Sequence, residues 1–180
     1  LIFDECTTGF RETIGGIHKK YKINPDIAIF GKALGNGFAI TSVIGKRKIM
    51  NAARKTFVSS TFWSERSGYV AGLKTIEIFK KKKVINKIKN TGKIIKSNWS
   101  RIFEKHNLNY KVIGSNSLPC FRILSSNEEK FFNKLSKKML EKNYVFKNFV
   151  YVSIAHTKPI LKKYFNNLDK SIKEIIDEKK

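Results

Sequence analysis

Cysteine is almost absent: Cys6 and Cys120 are the two in 180 residues. They lie far apart and lack the paired spacing of a zinc site or a disulfide framework, which leaves no candidate metal centre and suits a reducing cytoplasm. Long apolar runs are absent too. Lys, Asn, Ser or Glu interrupts every hydrophobic stretch before the roughly 20 residues that a bilayer crossing needs, so a soluble chain with no membrane partner is expected. No charged leader or small-residue cleavage site is present at the start, no signal peptide is expected, and Leu1-Ile2-Phe3-Asp4 reads as the middle of a fold. Acidic residues are outnumbered, 14 Asp and Glu against 37 Lys and Arg, for a formal charge of +23.

That charge raises nucleic acid or an anionic surface as a partner. The distribution argues against a dedicated nucleic-acid surface. Lysines are scattered over the polar stretches from Lys19 to Lys180, and the densest run, Lys80 to Lys83, falls at a helix end, where cations complement the backbone dipole. RNA-binding, helix-turn-helix and zinc-finger patterns are missing. A basic nucleic-acid-binding module stays as the competing class of function, and it requires steep salt dependence and lysines gathered on one face. With 41% hydrophobic residues the chain suffices for one ordinary domain or two small ones, and a disordered tail is excluded.

What is present is an alternation of short apolar runs and helical stripes. Leu1 to Phe3 reads as a buried strand ending in Asp4-Glu5, at the edge where open α/β sheets place ligand groups. Asn24-Pro25-Asp26 breaks the chain before a second strand, Ile27 to Phe30, which ends in Gly31-Lys32. Ala39 to Gly45 is a third, followed by a short helix over Lys48 to Arg54. A helix capped by Ser64 carries Tyr69, Leu73, Ile76 and Phe79, and the next carries Ile85, Ile88, Ile95, Trp99 and Ile102. Strands are expected at Tyr110 to Ile113, Cys120 to Leu124 and Val150 to Ile154. Ser126 to Glu129 has capping-box form before a helix with Phe132, Leu135 and Met139. Thr157 can cap a last helix with Leu161, Tyr164, Leu168, Ile172 and Ile175 inward. The reading is a strand-rich α/β part over 1–83 and a small α+β part over 84–180.

A strand ending in an acid and another ending in a lysine are each weak signals. Together they meet the need of pyridoxal phosphate (PLP) for an amine and for a carboxylate that keeps its ring nitrogen protonated. Leu1-Ile2-Phe3-Asp4-Glu5-Cys6-Thr7-Thr8-Gly9-Phe10-Arg11 resembles the strand and turn of the class III aminotransferases, most closely the glutamate-1-semialdehyde aminomutase branch. Pro25-Asp26-Ile27 leading to Gly31-Lys32-Ala33-Leu34-Gly35-Asn36-Gly37 is similar to that family's lysine segment. Ser59-Ser60-Thr61-Phe62 resembles its phosphate-contacting turn, and Val152 to Thr157 more weakly resembles its last strand and cap.

The resemblance implies the α/β architecture of PLP fold type I, with residues 1–83 as the C-terminal part of the large PLP-binding domain and 84–180 as the small C-terminal domain. It implies a complete protein of more than twice this length, and hence a fragment that is inactive alone. Carried over by position, Lys32 would hold PLP as a Schiff base and shuttle protons, and Asp4 would pair with the pyridinium nitrogen. Cys6 would pack on a ring face where the family usually has an apolar residue, and Thr7 would lie near the ring hydroxyl. Thr61 would reach a phosphate oxygen of the cofactor held by the other subunit of a homodimer. His156 receives no catalytic role, and Glu65 reads as part of a helix's first turn.

The activity implied is amino-group transfer on a small amino substrate, specifically a glutamate-1-semialdehyde 2,1-aminomutase-like reaction. Family members that grip an α-carboxylate commonly place an arginine on the last strand, and Val152 to Thr157 has none. That departure fits the aminomutase branch, or a transaminase acting on another small amine or an amino sugar precursor.

Overall fold

The computed structural model describes residues 1–178. The chain divides into two compact units, Leu1–Asn86 and Lys87–Lys180. Among the described residues no helix is long and apolar enough to cross a membrane.

The first unit is built on a three-stranded sheet in the order β1, β2, β3. β1 (Ile2–Asp4) pairs in parallel with β2 (Ile27–Phe30), Asp4 opposite Ile29, and β2 pairs antiparallel with β3 (Ser42–Gly45). Parallel pairing brings the C-terminal ends of β1 and β2 side by side, so Asp4 and the segment after Phe30 emerge at one sheet edge. Alternation along β2 sends Ala28 and Phe30 into a core with Phe10 and Leu34, where Phe10 meets Phe30 and Phe79 edge-on at 6.1 and 5.5 Å. α1 (Arg47–Ala53) follows β3, and α2 (Arg66–Lys81) supplies Ile76 and Phe79 to that core.

Several expectations are corrected here. β1 is not buried: it lies at the edge of this sheet, with Leu1 and Ile2 exposed. The third strand starts at Ser42, because residues 39–41 have no partner in the ladder. Ser64 does not cap α2. Glu65 does, its carboxylate accepting from the Ser67 backbone N–H at 3.0 Å, and a charged acceptor at a helix N-terminus is favoured over a hydroxyl. The Tyr69–Leu73 side of α2 faces outward, and the buried face is Gly68, Gly72 and Thr75, whose small side chains let the helix approach Ile40 and Leu34 closely.

α3 (Val84–Lys105) leads into the second unit, where β4 (Tyr110–Ser115) and β5 (Leu118–Ile123) form a hairpin with Ser115 opposite Leu118. α4 (Glu128–Glu141) and α5 (Lys158–Asp177) complete it. Trp99, Phe103 and Phe121 are fully buried with ring centroids 4.7 to 4.8 Å apart, and Leu135, Met139, Leu168, Ile172 and Ile175 close the core. Trp99 Nε1 donates to the Tyr164 hydroxyl at 3.0 Å, so the one polar atom of that indole is satisfied.

Val150 to Ile154 is not a strand. Phe149 makes a single bridge to Cys120, and the N–H groups of Val150 and Val152 reach Pro119 and Ser117 without a regular ladder. The capping box at Ser126 does not form either: α4 starts at Glu128 with Asn127 at its N-cap, without a side-chain cap bond, which leaves Ser126 one residue before the cap position. Its buried aromatic is Phe131, with Phe132 half-buried. Thr157 occupies the N-cap of α5 but makes no side-chain cap bond.

α3 and α5 are also tied by charge. Asp169 accepts from Lys105 Nζ and His106 Nε2, each at 2.6 Å. Burial alone would raise the Asp169 carboxyl, but these two donors hold it below its ordinary value. A carboxyl depressed in the folded state stabilises fully above its unfolded value of about 4, and the contribution is lost as pH falls through the lower folded value. Denaturant unfolding from pH 6 down to pH 3 should therefore show a decline that is shallower in Asp169→Asn. Parallel curves for the two proteins would exclude this role.

Candidate active site

β1 ends on Asp4, whose carboxylate turns back and accepts the Cys6 backbone N–H at 2.9 Å. The Cys6 amide, then the Cys6 thiol and the nearby Lys32 charge, hold the Asp4 carboxyl below its ordinary value, so it is an anion near neutral pH. Burial and the adjacent Asp4 carboxylate push the Cys6 thiol up, which leaves it a neutral packing group rather than a thiolate.

Lys32 follows Gly31 at the end of β2. Its Nζ donates to Thr7 Oγ1 at 2.6 Å, and this bond ties the β1 turn to the β2 turn. Lys32 is held at φ 41°, in the left-handed region. A side chain with a Cβ costs about 1–2 kcal/mol there, and such strain persists where the surrounding chain over-determines it. The segment Lys32–Leu34 is one 3-10 turn, closed by the Gly35 N–H on the Lys32 carbonyl, which the Asn36 N–H also reaches at 3.0 Å. Lys32 also lines a cleft of about 370 Å³ with Thr41, Phe62, Trp63 and Tyr69.

Four of the five residues singled out by the sequence thus meet at one edge: Asp4, Cys6, Thr7 and Lys32. Thr61 stands outside that hydrogen-bonded group, exposed in the turn at 61–64. His156 is structural, its Nδ1 accepting the Ser153 backbone N–H at 3.0 Å. The sequence reading missed Glu5 and His18. Glu5 is fully buried directly behind Asp4 and is met by His18 at 2.9 Å. Period-2 alternation was the available signal, since an acid after Asp4 must face the opposite side.

An anionic acceptor and a primary amine at the mouth of a parallel strand pair can hold a planar aromatic aldehyde through a covalent link at one end and a protonated ring nitrogen at the other. Among the described residues no cluster of three or more His, Cys, Asp or Glu side chains is placed to hold a metal ion.

Comparison with known proteins identifies the family and the fold. The aminotransferase class-III family matches residues 1–167. The chain is 36% identical over 120 residues to a 3-aminobutyryl-CoA aminotransferase of Cloacimonas acidaminovorans, covering 66% of this chain and 29% of that protein. It is 33% identical over 124 residues to a glutamate-1-semialdehyde 2,1-aminomutase of Lachnoclostridium phytofermentans, covering 67% and 29%. Among solved structures it is similar to the FumI protein of Sphingopyxis sp. MTA144 in its PLP internal aldimine form, with a TM-score of 0.91 at 20% identity over 99% of this chain and 44% of that one. The matched residues span less than a third of these curated relatives, and the whole chain spans less than half of the FumI chain.

Proposed function

Since this chain belongs to the class-III aminotransferases and has the fold of the type I PLP enzymes, we propose that it holds pyridoxal phosphate and serves amino-group transfer. The observation that carries this reading is the meeting of the Asp4 carboxylate with the Lys32 amine at one sheet edge, close enough for the Lys32 charge to lower the Asp4 carboxyl, with Asp4 accepting the Cys6 amide and Lys32 donating to Thr7. When bound, the cofactor supplies an electron sink for the bond broken at the substrate's amine-bearing carbon. Asp4, kept ionised by its amide bond, holds the proton on the ring nitrogen. Lys32 would tether the cofactor and, as a free amine, would serve as the proton carrier of the site. Cys6 packs against a ring face and Thr7 orients the ring hydroxyl. Thr61 would contact the phosphate of the cofactor held by a second copy, and the assembly would be an isologous dimer in the cytoplasm. Residues 1–83 serve as part of the large domain and 84–180 as the small one.

The finer reading is a glutamate-1-semialdehyde 2,1-aminomutase-like reaction, in which the amino group moves between neighbouring carbons of one substrate. The absence of arginine from Val152 to Thr157 supports it, as does the 33% likeness to a protein of that name. A second reading is favoured by the 36% likeness to 3-aminobutyryl-CoA aminotransferase, whose named substrate carries its carboxyl as a thioester and needs no arginine grip. One assay separates them. The full-length protein, purified, loaded with PLP and given glutamate-1-semialdehyde without any amino acceptor, should form 5-aminolevulinate. Turnover that appears only with 3-aminobutyryl-CoA plus a keto acid would replace the first reading by the second, and no turnover in either arm would overturn both.

A further inference from the structure

We infer that Glu5 is the positioning residue of this edge, acting through His18 and Thr8 to fix the turn that presents Asp4, Cys6 and Thr7. The inference rests on the reading of Asp4 and Lys32 given above. Side chains alternate along β1, so Asp4 faces the open side and Glu5 faces inward, where it is 0% exposed. A carboxylate without access to water is costly unless donors surround it. Glu5 Oε1 accepts the His18 backbone N–H at 3.1 Å and the His18 ring Nδ1 at 2.9 Å, and Oε2 accepts the Thr8 hydroxyl. Burial on its own would raise this carboxyl, but Thr8, the Ile17 and His18 amides and the His18 ring together hold it below its ordinary value. A carboxylate only accepts, so the His18 proton sits on Nδ1.

The Glu5 main chain is bound on both sides as well. Its N–H donates to the Ile29 carbonyl and its carbonyl accepts the Gly9 N–H, each at 2.8 Å. Glu5 therefore joins β2, the turn through Gly9 and the 3-10 turn at Ile17–Lys19. Asp4 precedes that junction, and Cys6 and Thr7 fall between it and Thr8. Gly16 is a consequence of the arrangement: a Cβ there would stand 2.5 Å from Glu5 Oε1 and 2.3 Å from His18 Nδ1, closer than packing permits. His18 is itself held edge-on to Phe3 at 5.7 Å, with its side chain 13% exposed. An apolar residue of similar volume would fill the space at no charge-burial cost. What it cannot do is fix Thr8 and His18 in direction and distance, and that fixing is the role assigned to Glu5.

Backbone amide exchange in the cofactor-free protein tests this, with the Cys6 N–H as reporter because it is bonded to Asp4 Oδ1. In Glu5→Gln and in His18→Phe the Cys6 amide should exchange about 10-fold faster or more, while the β2 amides change by less than about 3-fold. His18→Gln, whose side-chain N–H can replace the ring donor, should stay within about 3-fold of the parent at Cys6. An unchanged Cys6 rate in Glu5→Gln would overturn the inference. So would equal acceleration across β2, which marks general loosening, or a His18→Gln protein that behaves like His18→Phe, which marks a volume effect. The readout needs no cofactor, so failure of borohydride trapping on Lys32 would strike the functional reading by a separate route.

Discussion

Lys32→Ala should lower amino transfer by about 10⁴-fold, to the background of free cofactor, because it removes the covalent tether and the proton carrier together. Lys32→Arg should fail equally. A guanidinium keeps the positive charge but does not deprotonate near neutral pH, so it can neither form the link nor act as a base. That pair of variants separates the amine from its charge. In the parent, borohydride treatment of the full-length protein followed by mass spectrometry should find the reduced adduct on Lys32, although this chain alone has 31 lysines to choose from. What distinguishes Lys32 is its setting: a backbone held at φ 41° and an Nζ bonded to Thr7 at 2.6 Å. An adduct on any other lysine, or a Lys32→Arg protein with substantial turnover, would reject the assignment.

Much of this edge was legible in the sequence because its parts are close to the strand ends that display them. Asp4 and Lys32 lie at the ends of short apolar runs that read as strands, and parallel pairing brings such ends together. The helices were equally legible from their 3.6 period, which located the buried Trp99, Leu168 and Ile172 correctly. What failed depended on partners the local pattern does not name. Val150 to Ile154 has a strand's composition, but a ladder requires a second edge in register, and this segment reaches the hairpin only through the single N–H bonds of Val150 to Pro119 and Val152 to Ser117. Ser126 has the form of a cap, but the helix starts one residue later, with Asn127 at the N-cap. The apolar stripe of α2 suggested Tyr69 and Leu73 as its buried side, whereas close helix approach selected Gly68 and Gly72. Glu5 went unassigned because charge is expected at the surface, and only the fold reveals that Thr8 and His18 surround it.

Asp4→Asn should retain cofactor and lose activity by on the order of 10²–10³-fold, the scale of losing one preorganised electrostatic partner. The substitution is chosen because it separates two jobs. Asn keeps an oxygen at the position that accepts the Cys6 N–H, so the turn and the Lys32–Thr7 bond should survive. It removes the negative charge, and without that charge the ring nitrogen loses its proton near neutral pH and the ring becomes a poorer electron sink. Asp4→Ala removes both the charge and the amide acceptor, and should bind cofactor more weakly than Asp4→Asn as well as turning over slowly. The direction of the Asp4 shift fixes the pH behaviour. Its carboxyl is lowered by the Cys6 amide, the Cys6 thiol and Lys32, so it is ionised throughout the neutral range and its titration should leave no inflection in the parent's activity between pH 5 and 9. Measuring kcat and cofactor affinity for the parent and both variants checks each part. Near-normal kcat in Asp4→Asn would show that the acceptor oxygen, rather than the charge, is what the site requires.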